Sequence, residues 1–421
     1  MNKNKCLIVS ANFPPLGGVG VQKVTKIVKN LSQLNWEPIV CTVPFFSRKS
    51  QKDKSMLKEL PEDLEIHRPF YFDYRKIIPG EIAKLFKRLE RKHLFPDKFV
   101  IWNYFAFNKI KKINQKGNID VAFFNLSPFS GLLLAKKVKD DLNIPTVVNF
   151  RDPFSFNNYI RLKNQSKKRK KALKIEEETF SIIDKVICAT PYVLDKYRSL
   201  FPQYSEKFKL IPNGYDENDF FDVNTNTETD NSQFTIGYNG SVSKLVPIEP
   251  LFKAVKQIYQ KHDIKIKIRI ASKNAKSKFK QICPGCFEYG LVEWLGFLPH
   301  KKSLKKMSNT DLLTLMFTNN TATKGAYPGK VFEYFRLNRP ILLLYNKTSD
   351  LAKLINDKTQ TGTAVNIENL NEIVATILDF YRQWEKSKID HNPDWNEIEK
   401  FEYKTITKDI IKIFKEINHE N

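Results

Sequence analysis

Lys330 and Glu333 stand three residues apart in the run Pro328-Gly-Lys-Val-Phe-Glu-Tyr-Phe-Arg-Leu-Asn-Arg-Pro340-Ile-Leu-Leu-Leu. The pattern predicts a loop ended by Pro328 and Gly329, then a short helix carrying Lys330, Glu333 and Tyr334 on its first turns. A buried strand is expected after Pro340. A carboxylate at a helix start accepts hydrogen bonds from hydroxyls, and a lysine beside a helix N-terminus favours phosphate. A sugar nucleotide presents both groups, a ribose diol and a diphosphate. An ordinary surface helix leading into a core strand would carry the same residues, so this stretch alone leaves both readings open.

Gly17, Gly18 and Gly20 follow the first apolar run. Lacking Cβ atoms, they let backbone approach an anion or a sugar closely, and the helix expected after them adds a favourable dipole. The dinucleotide fingerprint G-x-G-x-x-G is broken, because its last position is Lys23; a purely structural turn is the alternative. Asp152, in Arg151-Asp152-Pro153, directly follows a buried run and so stands at a strand's carboxyl end, where open α/β sheets bind ligands. There it can act as a base for a hydroxyl or orient it; an ion pair or helix cap is the plainer role. His300, in Leu298-Pro299-His300, reads as a turn residue or a ligand contact. Cys283-Pro-Gly-Cys286 has the spacing of half a zinc site, but no second pair or nearby His completes it. It reads as a turn, and no metal site is expected.

Positioning these residues takes two α/β halves. In the first, strands are predicted at Cys6–Ala11, Pro38–Val43, Val121–Asn125, Thr146–Phe150, Lys185–Ala189 and Phe208–Ile211. Helices are predicted at about Val21–Asn35, Gly131–Asn143, Ile175–Ile183 and Pro191–Ser199. A polar, low-complexity run over 222–233 reads as an interdomain linker. The second half repeats the alternation, with strands at Phe234–Tyr238, Ile264–Ala271, Val292–Leu295, Asp311–Thr318 and Ile341–Tyr345 and helices between them. Such alternation means parallel sheets covered on both faces. A chain of 421 residues is too long for one ordinary core. The expected division is a domain over 1–215, a linker over 216–233, a domain over 234–395 and a terminal helix over about 396–421.

Lys and Arg number 70 against 46 Asp and Glu, a net charge of +24. That balance calls for an acidic partner, nucleic acid or an anionic membrane surface. No zinc finger, RNP motif or recognisable helix-turn-helix is present, so nucleic acid is not expected. Residues 75–112 mix cations with Phe99, Ile101, Trp102, Tyr104 and Phe105, a mixture suited to the headgroup layer of a bilayer. The run 161–174 is basic without a single acid. Core packing with a solvated face is the alternative for both. No apolar run is long enough to span a bilayer; 121–135 comes closest and is broken by Asn125, Ser127, Pro128 and Ser130. The opening residues read as a first strand rather than a signal peptide. The five cysteines are scattered and odd in number, as in a reducing compartment.

The segment Gly329-Lys-Val-Phe-Glu-Tyr-Phe-x-x-x-Arg-Pro-Ile341 resembles the donor site of GT-B glycosyltransferases, in particular the retaining GT4-like group (glycosyl transferases group 1). Five further segments match in order: Asn12-Phe-Pro-Pro-Leu-Gly-Gly-Val-Gly20, Asn149-Phe-Arg-Asp-Pro-Phe154, Ile211-Pro-Asn-Gly-Tyr-Asp216, Ile236-Gly-Tyr-Asn-Gly-Ser-Val242 and Val292-Glu-Trp-Leu-Gly-Phe-Leu-Pro-His300. The resemblance implies a GT-B fold: two Rossmann-like α/β domains whose parallel sheets face a central cleft, with a terminal helix crossing back onto the first. It implies that Glu333 binds the nucleotide ribose and that Lys244 and Lys330 neutralise the diphosphate. Gly240 and His300 would lie beside the nucleotide, with Asp152 and the Gly17, Gly18, Gly20 loop in the cleft's first-domain side. Transfer would be metal-independent, with lysines and backbone dipoles in place of a divalent cation and no cofactor beyond the nucleotide-sugar donor. The implied reaction moves a hexose or N-acetylhexosamine, with UDP the expected nucleotide, to a lipid-linked or surface-glycan acceptor. Its setting would be capsule, O-antigen or exopolysaccharide assembly on the cytoplasmic face of the bacterial inner membrane. Three departures bear on this. Gly325 stands where the group carries an acid, Ser241 where it often carries Arg, and the Asn125–Pro128 neighbourhood lacks a His. A UDP-N-acetylhexosamine 2-epimerase shares the architecture, and a non-catalytic partner in glycan assembly would also keep it.

Overall fold

The computed structural model describes residues 3–44, 55–71, 80, 82, 94–157, 166–225, 229, 232–320, 323–387 and 389–419. The chain divides into two compact units, Met1–Asn213 with Tyr403–Asn421, and Gly214–Glu402.

The first unit is built on β1 (Asn4–Ser10), β2 (Trp36–Cys41), β3 (Glu65–His67), β4 (Val121–Asn125), β5 (Thr146–Phe150), β6 (Lys185–Cys188) and β7 (Phe208–Leu210). All pair in parallel, in the order β3-β2-β1-β4-β5-β6-β7. The central strands are apolar on both faces because both are covered. Leu7, Val9, Phe124 and Val148 face a core shared with helices α2 (Val100–Lys116), α3 (Gly131–Leu142), α4 (Lys167–Phe180) and α5 (Pro191–Leu200). Their neighbours Cys6, Ile8, Phe123 and Val147 point the other way, as the two-residue strand period requires. They meet α1 (Val19–Gln33) and the terminal helix, here α14 (Tyr403–His419). Phe414 of α14 lies 5.3 Å from the Trp36 ring and 6.0 Å from that of Phe123. The Lys185 ammonium donates to Glu416 at 2.7 Å and holds that carboxyl below its usual range.

The second unit has six parallel strands in the order β10-β9-β8-β11-β12-β13. They are β8 (Thr235–Asn239), β9 (Lys267–Ala271), β10 (Val292–Gly296), β11 (Leu312–Met316), β12 (Ile341–Leu344) and β13 (Gly362–Val365). One face packs on α6 (Glu249–His262) and α12 (Leu370–Glu385), the other on α10 (Gly329–Arg336). The short helices α7 (Lys276–Ile282), α8 (Pro284–Glu288), α9 (His300–Ser308), α11 (Asp350–Lys353) and α13 (Trp395–Glu399) fill the connections. Each unit therefore has the Rossmann-like alternation of the GT-B fold, and among the described residues no helix is long and apolar enough to cross a membrane.

Several expectations need correcting. The helix expected from about Val21 starts at Val19, so Gly20 lies in its first turn rather than in the loop. Lysines at 167–174 form the start of α4, which begins eight residues before the predicted Ile175; residues 161–165 lie outside the described residues. In the 75–112 stretch, residues 100–112 are helical, and Phe99 and Trp102 are 4% and 3% exposed, belonging to the core. Lys84, Lys87, Arg88, Arg91 and Lys92 lie outside the described residues. The linker expected over 216–233 starts folded: Glu217–Asp219 form a 3-10 turn, and Phe220 is buried against Tyr215. The helix expected over 396–421 is two helices, one in each unit. Cys283 and Cys286 are joined in a disulfide, because Pro284 and Gly285 open α8 and fold both onto one turn.

Candidate active site

The second unit gathers four of its five expected residues where β8 ends and α10 begins. Strand β8 delivers Tyr238 and Asn239, and the chain then turns through Gly240 at φ +145°, a conformation open to glycine. A Cβ there would sit 3.0 Å from the Lys330 ammonium. Lys330 donates to the Asn239 carbonyl at 2.8 Å and lies 4.2 Å from the centre of the Tyr238 ring. Part of its stem reaches solvent, yet its ammonium is enclosed, and desolvation pulls it down to about 7 against the opposing pull of Glu333. One helical turn on, Glu333 Oε1 meets His300 Nε2 at 2.8 Å. The other His300 nitrogen, Nδ1, stands 4.0 Å from Asp219. His300 is the first residue of α9, so its ring is held by a helix start rather than by the turn expected.

Lys244 is not brought into this cluster. It occupies the exposed tip of a turn whose ends, Ser243 and Val246, exchange two backbone bonds of 3.1 Å. Tyr334, expected on the same helix turns, and Tyr238, which nothing in the sequence singles out, frame the site. Tyr334 accepts from the Asn239 amide at 3.1 Å, and Tyr238 donates to the Ser241 carbonyl at 3.0 Å. Asn274 accepts from the Val242 amide at 2.7 Å, and Lys278 donates to the Val242 carbonyl at 3.0 Å, fixing the loop after Gly240. Gly325, where an acid had been expected by resemblance, has φ +75° in a turn closed by the Ala326 amide on the Thr323 carbonyl. A left-handed backbone of this kind favours glycine at that position.

In the first unit Asp152 follows β5, as expected, and accepts from Arg151 Nε at 3.2 Å, with about a third of each side chain exposed. Gly18, at φ +115°, is the residue before α1, and Gly17 precedes it. Gly20 lies directly beneath the Arg151 guanidinium, which a Cβ would meet at 2.7 Å. Behind them runs a buried polar chain that went unread in the sequence. Lys23 donates to Asn149 Oδ1 at 3.3 Å, Asn149 to Asn125 Oδ1 at 2.8 Å, and Asn125 to the Ser10 hydroxyl at 3.2 Å. Ser10 donates to the Asn12 carbonyl at 3.0 Å, and Asn12 to the Ser127 carbonyl at 2.7 Å. These donors tie together the carboxyl ends of β1, β4 and β5. Burial pulls the Lys23 ammonium down to about 7, and the neighbouring Arg151 charge adds to the effect.

The family model described as Glycosyltransferase Family 4 matches residues 17–219. No curated protein matches the chain. Among solved structures, the sucrose-phosphate synthase from Thermosynechococcus elongatus is 12% identical with a TM-score of 0.67, and all of both chains is covered. HepE from Anabaena, solved with UDP and glucose, is 14% identical with a TM-score of 0.62, over 98% of this chain and all of that one. The lipopolysaccharide outer core galactosyltransferase WaaB is 12% identical with a TM-score of 0.63, over 98% and 99%. At these identities the structures establish the shared fold.

Proposed function

We propose that this chain, a GT-B glycosyltransferase similar to Glycosyltransferase Family 4 over its first domain, moves a hexose or N-acetylhexosamine from a UDP-sugar to a hydroxyl of a lipid-linked or surface-glycan acceptor, with retention of configuration. The observation that carries this is the meeting of Gly240, Lys330, Glu333 and His300 at the carboxyl end of the second sheet. Glu333 accepts from the ribose hydroxyls, oriented by His300. Lys330 and the N-terminus of α10 take the diphosphate, whose leaving oxygen gains charge as the glycosidic bond breaks. Glycine at 240 lets that phosphate reach Lys330. In the first unit Asp152 orients the acceptor hydroxyl or receives its proton. HepE, solved with UDP and glucose, is a relative in fold that supports UDP as the nucleotide. Hydrolysis of a panel of UDP-hexoses and UDP-N-acetylhexosamines tests the reading; a folded protein that binds UDP and turns over none of them would be a non-catalytic relative.

A place in glycan assembly fits an acceptor held at an anionic membrane. Support comes from α2 and from the chain just after β3, where Ile101 and Tyr104 are 53% and 69% exposed and Phe70 is 59% exposed. Phe105 joins Phe70 and Tyr104 at ring distances of 5.3 and 5.4 Å. Aromatic side chains of this kind sit at the headgroup level, and nearby lysines add about 1 kcal/mol each at an acidic bilayer. Sedimentation with phosphatidylserine vesicles is expected to weaken with salt and to fall further in Ile101→Ser/Tyr104→Ser. Equal binding to neutral vesicles, or no loss in the double variant, would remove the membrane from this proposal.

A further inference from the structure

The loop that carries Asp152 is clamped from below by a buried carboxylate. Glu176 sits on α4 with no exposed surface. Its Oε1 accepts from the Ser155 amide at 3.0 Å and from the Tyr197 hydroxyl at 2.7 Å. Tyr197, on α5 and equally buried, accepts in turn from the Phe154 amide at 3.1 Å. Arg169, seven residues before Glu176 on α4, donates to the Ser155 carbonyl at 3.3 Å. Two consecutive amides, beginning two residues after Asp152, are thus held by one carboxylate and its phenol. A buried acid costs stability, and an apolar residue would fill the same space more cheaply. Its position is explained by what it holds.

We propose that Glu176 is a positioning residue for the reaction: through Tyr197 and the backbone of Phe154 and Ser155 it fixes the loop that presents Asp152. The inference rests on the reading of Asp152 given above. Charge matters to the clamp, because hydrogen bonds to an ionised acceptor are roughly twice as strong as neutral ones. Burial pushes the Glu176 carboxyl up to about 7, against the pull of the Ser155 and Tyr197 donors and of Arg169. The remaining groups that face it are Tyr197 and the Cys188 thiol of β6. Burial raises both well above their usual ranges, so both are neutral near pH 7. The clamp is therefore tightest above about pH 7 and slackens as Glu176 takes a proton.

Glu176→Gln is the test. Both bonds of the clamp fall on Oε1, so the amide can keep its oxygen toward the Ser155 amide and the Tyr197 hydroxyl while removing the charge. Hydrogen exchange of the peptide spanning 151–157 and turnover of the UDP-sugar are measured from about pH 6 to pH 8. The wild type is expected to show exchange protection and kcat, the latter measured at saturating UDP-sugar, rising together with pH. In Glu176→Gln both become flat and low, kcat falling about tenfold to a hundredfold, the scale of a small misplacement of a reacting group. Tyr197→Phe, which leaves the charge in place, is expected to lower the same protection. Full protection of 151–157 in both variants, or unchanged kcat in Glu176→Gln, overturns the proposal. Asp152→Asn separates it from its premise: wild-type turnover in that variant removes Asp152 from the reaction, whereas loss there beside full activity in Glu176→Gln removes only the clamp.

Discussion

Each unit holds a lysine whose ammonium burial brings to about 7, and the two are built into different surroundings. Lys330 has the Asn239 carbonyl and the Tyr238 ring from the end of β8 and an acid one turn along its own helix. Lys23 has a neutral amide and the added repulsion of Arg151, and its polar neighbours come from three separate strands. The second unit gathers its candidate chemistry at one point, where the end of β8, the first turns of α10 and His300 meet. The first spreads its own over Asn12, Lys23, Asn125, Asn149, Arg151 and the Glu176–Tyr197 pair. A group with a fixed form, such as a nucleotide diphosphate, can be met by a compact motif. A varied partner such as a glycan acceptor calls for a surface assembled from many loops.

The largest effect should come from breaking the compact side. Lys330→Ala and Glu333→Ala are each expected to weaken UDP binding, and Lys330→Ala to lower transfer by about 10²–10³-fold, as when one preorganised charge-stabilising donor is removed. Both proteins should remain folded, since neither side chain fills the core. His300→Ala should do less, because it acts through Glu333. Calorimetric titration with UDP decides; unchanged affinity in both alanine variants would withdraw the donor site from this cluster.

On the dispersed side, Asp152→Asn is expected to cut transfer by about 10²-fold while UDP binding stays intact. If it transfers at the wild-type rate, the Arg151–Asp152 contact is structural, and the acceptor must be sought along the Asn12–Asn149 chain instead.

That contrast also decides what was legible in the sequence. The parallel α/β halves were, because runs such as Val121–Asn125 and Thr146–Phe150 are apolar on both faces and bounded by turn residues. So was the meeting of Lys330 with Glu333, since helical spacing alone brings them together. His300 was legible as a candidate, but its bond to Glu333 joins residues 33 apart, and no local pattern encodes that. Lys23 was noticed only as the residue that breaks a glycine fingerprint; its burial follows from packing beneath β5. Glu176 lies in a run of three acids, Glu176-Glu177-Glu178, and nothing local marks the first of them as buried. The aromatic stretch failed differently: cations between aromatics gave one face to Phe99 and Trp102, which the helix period turns into the core, and to Ile101 and Tyr104, which it turns outward.

A smaller effect separates the two lysines by their protons. An ammonium with a folded pKa near 7 is partly neutral at pH 7.5 in the empty protein. A bound diphosphate favours its charged form, so donor binding should take up a fraction of a proton and weaken as pH rises through about 7 and beyond. UDP-glucose is the better probe, because the terminal phosphate of UDP titrates on its own. Calorimetry in two buffers of different ionisation enthalpy measures the uptake. Lys330→Met should abolish it and Lys23→Met should leave it; the reverse would place the diphosphate against the first unit. For stability the sign is opposite to that of an ordinary paired lysine. The unfolded chain binds more protons between about 7 and 10.5, so each of these lysines costs stability below that window, and the cost fades as pH rises through it.

The finest test uses two glycines that face the two cationic groups. Gly240 has a left-handed φ, and its added Cβ would press the Lys330 ammonium at 3.0 Å. Gly240→Ala therefore meets strain in the backbone and displacement of Lys330 together. It should lower stability by about 1 kcal/mol or more and reduce UDP affinity. Gly20 has no such backbone constraint and lies within the first turn of α1, where alanine is favoured over glycine by up to about 1 kcal/mol. Its Cβ would press on the far end of Arg151 at 2.7 Å, a flexible group that can swing aside, and would touch Asn12 Nδ2 at an ordinary contact distance of 3.4 Å. Gly20→Ala should thus leave the melting temperature unchanged or raise it, leave UDP affinity alone, and lower transfer by moving Arg151 away from Asp152. Thermal melts and transfer rates of the two variants give opposite signs for stability if the two sites are built as described. If Gly20→Ala destabilises as much as Gly240→Ala, Arg151 is pinned more tightly than its hydrogen bond to Asp152 implies, and the first-unit site is as rigidly formed as the second.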